Sequence, residues 1–212
     1  MKDIPVFTTE HGAAGLVLRQ IPYCQTAYIT LYDTQEPAPL LEECVGFCRA
    51  CGAEEIYATG HEYLARYPLF TGLVQMERPK AGLMITDAKL VPVTADTAEK
   101  WRKLSNDRMA QVPMAAYFTP QEDKALVKDG DCYFVEKDDV LIGIGKASGD
   151  TIHTIASLVP GMGETVMLAL IAVLTGGNIR LTVSQHNEKA LALYARMGFL
   201  PTGEHRKWYR VK

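Results

Sequence analysis

Apolar and polar residues alternate with a period of two at VFTTE (residues 6–10), AGLVLRQI (14–21) and TAYITLYD (26–33), which predicts three short strands. The period lengthens in PLLEECVGFCRACGAEE (39–55), where Leu40, Leu41, Cys44, Cys48 and Cys51 share one helical face. EIYATG (55–60) returns to strand, HEYLARYPLF (61–70) suits a short helix, and TGLVQMER (71–78) another strand. RPKAGL (78–83) combines proline, glycine and charge and reads as a linker. Beyond it, KLVPVT (89–94) predicts a strand. ADTAEKWRKLSNDRMAQV (95–112) predicts a helix, capped by Thr94 or Asp96, with Trp101, Leu104 and Met109 on its apolar side. A short helical segment, QEDKALVKDG (121–130), leads into DCYFVEKDDVLIGIGKASGDTIHTIASLV (131–159). Its strand-like runs, broken at KDD and SGD, predict an antiparallel meander. The chain closes with a helix in PGMGETVMLALIAVLTGG (160–177), a strand NIRLTVSQ (178–185), a helix after Asn187 and strand material in PTGEHRKWYRVK (201–212).

The pattern is α/β, divided into an N-terminal part, 1–86, and a larger part, 87–212. The two echo one another: each offers strands, an apolar helix, a strand, a short aromatic-ended helix and a strand, and YLARYPLFTGLVQMER loosely matches LYARMGFLPTGEHRKW. The N-terminal part therefore reads as a partial, diverged copy of the C-terminal one.

Composition narrows the partners. Of 212 residues 48% are apolar, enough for a substantial core, and 22 Lys and Arg against 25 Asp and Glu leave a formal charge of −3. That balance argues against nucleic acid and anionic membranes and for a small molecule or a protein as partner. HRKWYRVK mixes basic and aromatic residues, but in an acidic chain a solvated final strand accounts for it. VMLALIAVL (166–174) is too short for a bilayer span of roughly 20 residues, and MKDIPVFTTE lacks a signal-peptide apolar run, so a soluble, cytoplasmic protein is expected. Five cysteines, an odd number, suit free thiols in a reducing compartment. Cys44, Cys48 and Cys51 have a C-x3-C-x2-C spacing that resembles the cluster motif of radical S-adenosylmethionine enzymes, yet their helical period assigns them to core packing.

Two local patterns carry chemistry. SLVPGMGET (157–165) sets Gly161 and Gly163 between a strand and a helix, where backbone N–H groups and the positive helix end can meet an anion, a pyrophosphate above all. A tight turn alone also calls for glycine. In SQHNEKALALYARMGF (184–199), Asn187, Ala190, Tyr194 and Gly198 line up on one side of a helix. Asn187 suits the N-cap, Gly198 a left-handed C-terminal cap, and Phe199 the apolar contact that accompanies it. Those roles explain a stable helix and leave the tyrosine as either packing or function.

The run Asn187-x2-Ala190-x2-Leu193-Tyr194-x3-Gly198-Phe199, preceded by a strand, a G-x-G turn and an apolar helix, resembles the GCN5-related N-acetyltransferases over roughly residues 87–212. The resemblance implies a mixed, mainly antiparallel sheet flanked by helices, whose fourth and fifth strands splay apart around acyl-coenzyme A, with a smaller N-terminal α/β part in front. By position it implies that Ala156, Ser157, Leu158 and Val159 offer backbone bonds to the pantetheine arm. Gly161, Met162, Gly163, Glu164 and Thr165 would wrap the pyrophosphate, Asn187 would contact pantetheine or order the loop, and Tyr194 would face the thioester sulfur. The implied reaction is direct transfer of an acetyl group from acetyl-CoA to a primary amine, on a small molecule or a protein, with no metal and no covalent enzyme intermediate. Backbone N–H groups near Leu158 would stabilise the oxyanion, and His153 and Glu136 are candidate bases by type. A homodimer is compatible with this reading, and so is a catalytically silent acyl-CoA-binding or regulatory module. The chain departs from the family pattern at Leu158, where an arginine or glutamine is usual, in a turn shortened by Val159-Pro160, and at Glu164, whose charge opposes a phosphate.

Overall fold

In the computed structural model, which describes residues 5–212, the N-terminal alternation folds into β1 (Val6–Thr9) and β2 (Gly12–Val17) as an antiparallel hairpin, extended by β3 (Thr26–Leu31). The second strand is shorter than its pattern predicts: it stops at Val17, and Ile21–Cys24 forms a one-turn helix, α1. Pro22 lies in its first turn, where the missing N–H would have had no partner. The apolar-periodic stretch becomes α2 (Pro37–Ala50), followed by β4 (Glu55–Thr59), a 3-10 turn at Glu62–Arg66 and β5 (Leu69–Pro79). Leu40, Leu41, Cys44 and Cys48 bury against Leu16, Ala27, Ile29, Ile56 and Ala58. Cys51 is not on that face: α2 ends at Ala50, and Cys51 is its exposed C-cap. The expected linker begins as the end of β5, and Arg78 and Lys80 bond the carbonyls of Met197 and Leu174.

The chain divides into two units, one running to Leu73 together with His205–Lys212, the other Val74–Glu204. In the first, β1-β2-β3-β4 are neighbours in that order, with β4 parallel to β3. The second begins with the end of β5 and continues through β6 (Lys89–Pro92), α3 (Ala98–Met109), α4 (Asp123–Asp129), β7 (Cys132–Lys137), β8 (Val140–Ser148) and β9 (Thr151–Ser157). Then follow α5 (Gly163–Ala172), β10 (Asn178–Ser184), α6 (Glu188–Arg196) and β11 (Leu200–Arg210), whose last residues return to the first unit. Strands β7, β8 and β9 form the predicted antiparallel meander, β6 pairs antiparallel with β7 at its edge, and β10 lies parallel to β9.

Helices cover both faces of this second sheet. On one face α5 buries Val166, Met167 and Leu170 among Ile152, Ile179, Leu181, Val183 and Phe199. On the other, Trp101 of α3 and Leu126 of α4 pack with Phe118, Phe134, Ile144 and Ala156, and the Trp101 indole donates to the Tyr133 carbonyl at 3.0 Å. β9 and β10 have seven residues each, yet they pair only at Thr151↔Arg180 and Ile152↔Leu181 before separating. The parallel pair of the first unit, β3 and β4, stays in register over five successive positions, Thr26↔Glu55 to Thr30↔Thr59.

Candidate active site

The separation of β9 from β10 leaves a strand edge without a partner among the described residues. Leu158 donates its N–H to the Ile142 carbonyl at 2.8 Å, and β8 and β9 continue in register from Gly143↔Ser157 to Lys146↔Thr154. An antiparallel ladder alternates its bonding direction, so Ala156 and Thr154 also turn their backbone groups to β8. Ile155 and Ser157 turn theirs the other way, past the last residue paired with β10. An extended ligand with amide groups can bond to that edge as a strand would.

The edge runs into a cleft of about 670 Å³ lined by Ser157, Leu158, Val159, Pro160, Gly161, Gly163 and Glu164, with Lys189, Leu193 and Arg196 from α6 and Arg108 from α3. Gly161 sits at φ +84, in the left-handed region, with open space where a Cβ would be. The turn after it opens α5, whose first amides, from Gly163 to Thr165, precede the first intrahelical donor, Val166, and have no helical partner. Ser157 closes the turn by donating its hydroxyl to the Val159 carbonyl at 2.6 Å. Three exposed cations therefore face one carboxylate, Glu164, and none of the three has an ion-pair partner among the described residues. By charge, three cations and a helix N-terminus against one carboxylate make the cleft electropositive on balance, which favours an anion.

On α6, Tyr194 follows Leu193 of the cleft wall and is itself 6% exposed within the core, its ring centroid 5.9 Å from that of Phe199. Burial pushes its phenol up to about 12, and its hydroxyl has no hydrogen-bond partner among the described residues. Asn187 caps α6, accepting from the Ala190 N–H at 3.2 Å, while Gly198 takes φ +83 and the Phe199 N–H bonds the Tyr194 carbonyl.

No protein-family model matches this sequence, and no curated protein does. Solved structures do. The chain is similar to a GCN5-related N-acetyltransferase from Sphaerobacter thermophilus (TM-score 0.61, 11% identity, 93% of this chain and 75% of that one). It is also similar to an acetyltransferase of the GNAT family from Colwellia psychrerythraea (0.55, 11%, 98% and 84%) and to a conserved protein of unknown function from Staphylococcus epidermidis (0.62, 12%, 98% and 93%). The fold is that of the GCN5-related N-acetyltransferases.

Within this GNAT fold the residues singled out from sequence separate into groups. Ser157, Leu158, Val159, Gly161, Gly163 and Glu164 line the cleft. Ala156 packs in the α3–α4 core, Met162 packs against the α5 core and is the N-cap of α5, and Thr165 lies in the first turn. Asn187 and Tyr194 are not among the lining residues. The Leu158 N–H, expected to help an oxyanion, is already bonded within the sheet. His153 directly follows the last paired residue of β9, and its Nε2 lies 2.9 Å from the Ser148 hydroxyl. Burial and then the nearby Lys146 ammonium hold its pKa below the ordinary histidine value. Glu136 lies on β7, opposite Lys89. In the C-terminal segment Trp208 is buried edge-on to Tyr28 and Arg210 is paired with Glu55 at 2.9 Å, so its cation is engaged within the protein.

Arg108, Lys189 and Arg196 were missed by sequence reasoning. Lys189, Leu193 and Arg196 recur at i, i+4 and i+7 on α6, a spacing that could have disclosed one wall. Arg108 left no local signal. Among the described residues no helix is long and apolar enough to cross a membrane, and no cluster of His, Cys, Asp or Glu has metal-site geometry.

Proposed function

We propose that the protein is an acyl-CoA-dependent N-acetyltransferase that moves an acetyl group directly to a primary amine. The observation that carries this reading is the unpartnered β9 edge at Ile155 and Ser157 leading into a cation-lined cleft at a helix N-terminus. The residues present fit the cofactor's chemistry: an amide-bearing arm for the strand edge and a pyrophosphate for the helix end. When bound, acetyl-CoA supplies an activated acetyl thioester.

The protein's part is binding, orientation and one hydrogen bond. The Ile155 and Ser157 backbone groups hold the arm extended, and the amides of Gly163, Glu164 and Thr165 with Arg108, Lys189 and Arg196 hold the phosphates. Tyr194 would serve as a hydrogen-bond donor to the thioester sulfur. Its phenol lies at about 12 against a thiol near ~8.5, so full proton transfer is uphill by roughly 5 kcal/mol, and a strengthening hydrogen bond is the role its chemistry allows.

The test is calorimetric titration with coenzyme A, followed by thiol release from acetyl-CoA over a panel of amines. Binding with amine-dependent thiol release is expected, and absence of coenzyme A binding would refute the reading. A catalytically silent acyl-CoA-binding module is the second reading, favoured by the burial of Tyr194 away from the cleft lining. Binding without thiol release from any amine selects it.

A further inference from the structure

We infer that Arg108 is the pyrophosphate anchor of this cleft, supplied by α3 in place of a basic side chain at position 158. The inference rests on the acyl-CoA reading above. Leu158 lies at the cleft, but its side chain packs with the cluster that also holds Trp101, Leu104 and Met109 of α3. The apolar residue at this position thus gives the last turn of α3 something to pack against. In return that turn brings a guanidinium to the cleft rim: Arg108 Nη2 donates to the Leu158 carbonyl at 3.1 Å. The cation arrives from 50 residues away in the chain, at the place where the Leu158 side chain offers none.

Three features make this guanidinium more than a helix-end charge. It is exposed, has no carboxylate partner among the described residues, and spends one of its five donors on a neutral carbonyl. Charge-assisted bonds to phosphate are roughly twice as strong as neutral ones, and the planar fork suits two oxygens at once. Its anchor, Leu158, immediately precedes the Val159-Pro160-Gly161 turn that opens α5, and Arg108 lines the same cleft as Gly163 and Glu164 at the start of that helix, together with Lys189 and Arg196 of α6. The phosphates nearest that helix start are its ligand.

The test compares wild type, Arg108→Ala and Arg108→Lys by calorimetry against coenzyme A, dephospho-coenzyme A and pantetheine, with unfolding midpoints recorded. Arg108→Ala is expected to bind coenzyme A and dephospho-coenzyme A about tenfold or more weakly, with pantetheine binding and the midpoint unchanged. Arg108→Lys is expected to recover part of the loss. Unchanged coenzyme A affinity in Arg108→Ala overturns the assignment, as does an equal loss for pantetheine, which would mark a packing role. A loss for coenzyme A alone would move the contact to the ribose phosphate and overturn it too. Wild type failing to bind coenzyme A removes the acyl-CoA reading and this assignment together, whereas wild-type binding matched by Arg108→Ala removes only the assignment.

Discussion

Tyr194 shows how burial decides what a side chain can do. A phenol pushed up to about 12 stays protonated, and so remains a donor, throughout the working range of pH. Tyr194→Phe should lower turnover by about tenfold or more while coenzyme A affinity changes less than about twofold, measured as kcat and as a calorimetric Kd. Because the donor form is lost only as pH rises through about 12, the wild-type rate profile should show no descending limb from this residue between pH 7 and 10. A limb in that interval that vanishes in the Phe variant would contradict the raised value. The helix that carries Tyr194 was legible residue by residue: Asn187 caps it, and Gly198 adopts the left-handed conformation that ends it. The tyrosine's burial was not legible, because the spacing that puts it on a helix face does not say which neighbours cover that face.

At the scale of elements, the packing of α5 on β8 explains the first two glycines of GIGKASG. A Cβ at Gly143 would lie 2.4 Å from Val166 Cγ2 and 2.9 Å from the Ala156 carbonyl oxygen, and one at Gly145 would lie 2.3 Å from Leu170 Cδ1. The missing side chains let the helix come close to the strand that supports β9. Gly145→Ala should therefore destabilise the fold by about 1–3 kcal/mol in denaturant unfolding. The alternation that marked β7, β8 and β9 was enough to place the meander, and the G-x-G turn was enough to place the start of α5. The reach of Arg108 to Leu158 exists only once α3 has packed on the sheet, so no local pattern could announce it. The same holds for α1: a strand-like apolar run gave way to a turn because Pro22 fixes a helical φ beside the buried Ile21.

At the scale of the molecule, the two parts of the chain, 1–86 and 87–212, repeat an order of elements. Apart from α1, which lies between β2 and β3, the order β1-β2-β3, α2, β4, a 3-10 turn and β5 matches β7-β8-β9, α5, β10, α6 and β11. On that order we propose that the N-terminal part, 1–86, is a diverged partial copy of the C-terminal part, 87–212. The two parts differ at the helix that follows the third strand of each set, since α2 opens with Pro37 and Pro39, which have no N–H to offer an anion. The cysteines report on the integrity of both units. Cys44 and Cys48 are buried in the first, with thiols pushed up to about 12 and about 11, and Cys132 is buried in the second at about 12. Native protein treated with a thiol reagent at pH 8 should show Cys24 and Cys51, the exposed pair, reacting promptly. The other three should react only on unfolding, and prompt reaction of all five would show that these cores are not closed in solution.

The unequal lengths of the two parallel ladders carry a consequence for folding. The first unit closes its five-position ladder with its own residues, so that ladder needs nothing from solution. In the second, β9 and β10 do not pair with each other beyond Ile152 and Leu181, and the edges they turn toward one another there have no complement among the described residues. A solute that lies along them acts as a temporary strand, and by mass action the stability of that half of the protein becomes a function of the solute's concentration.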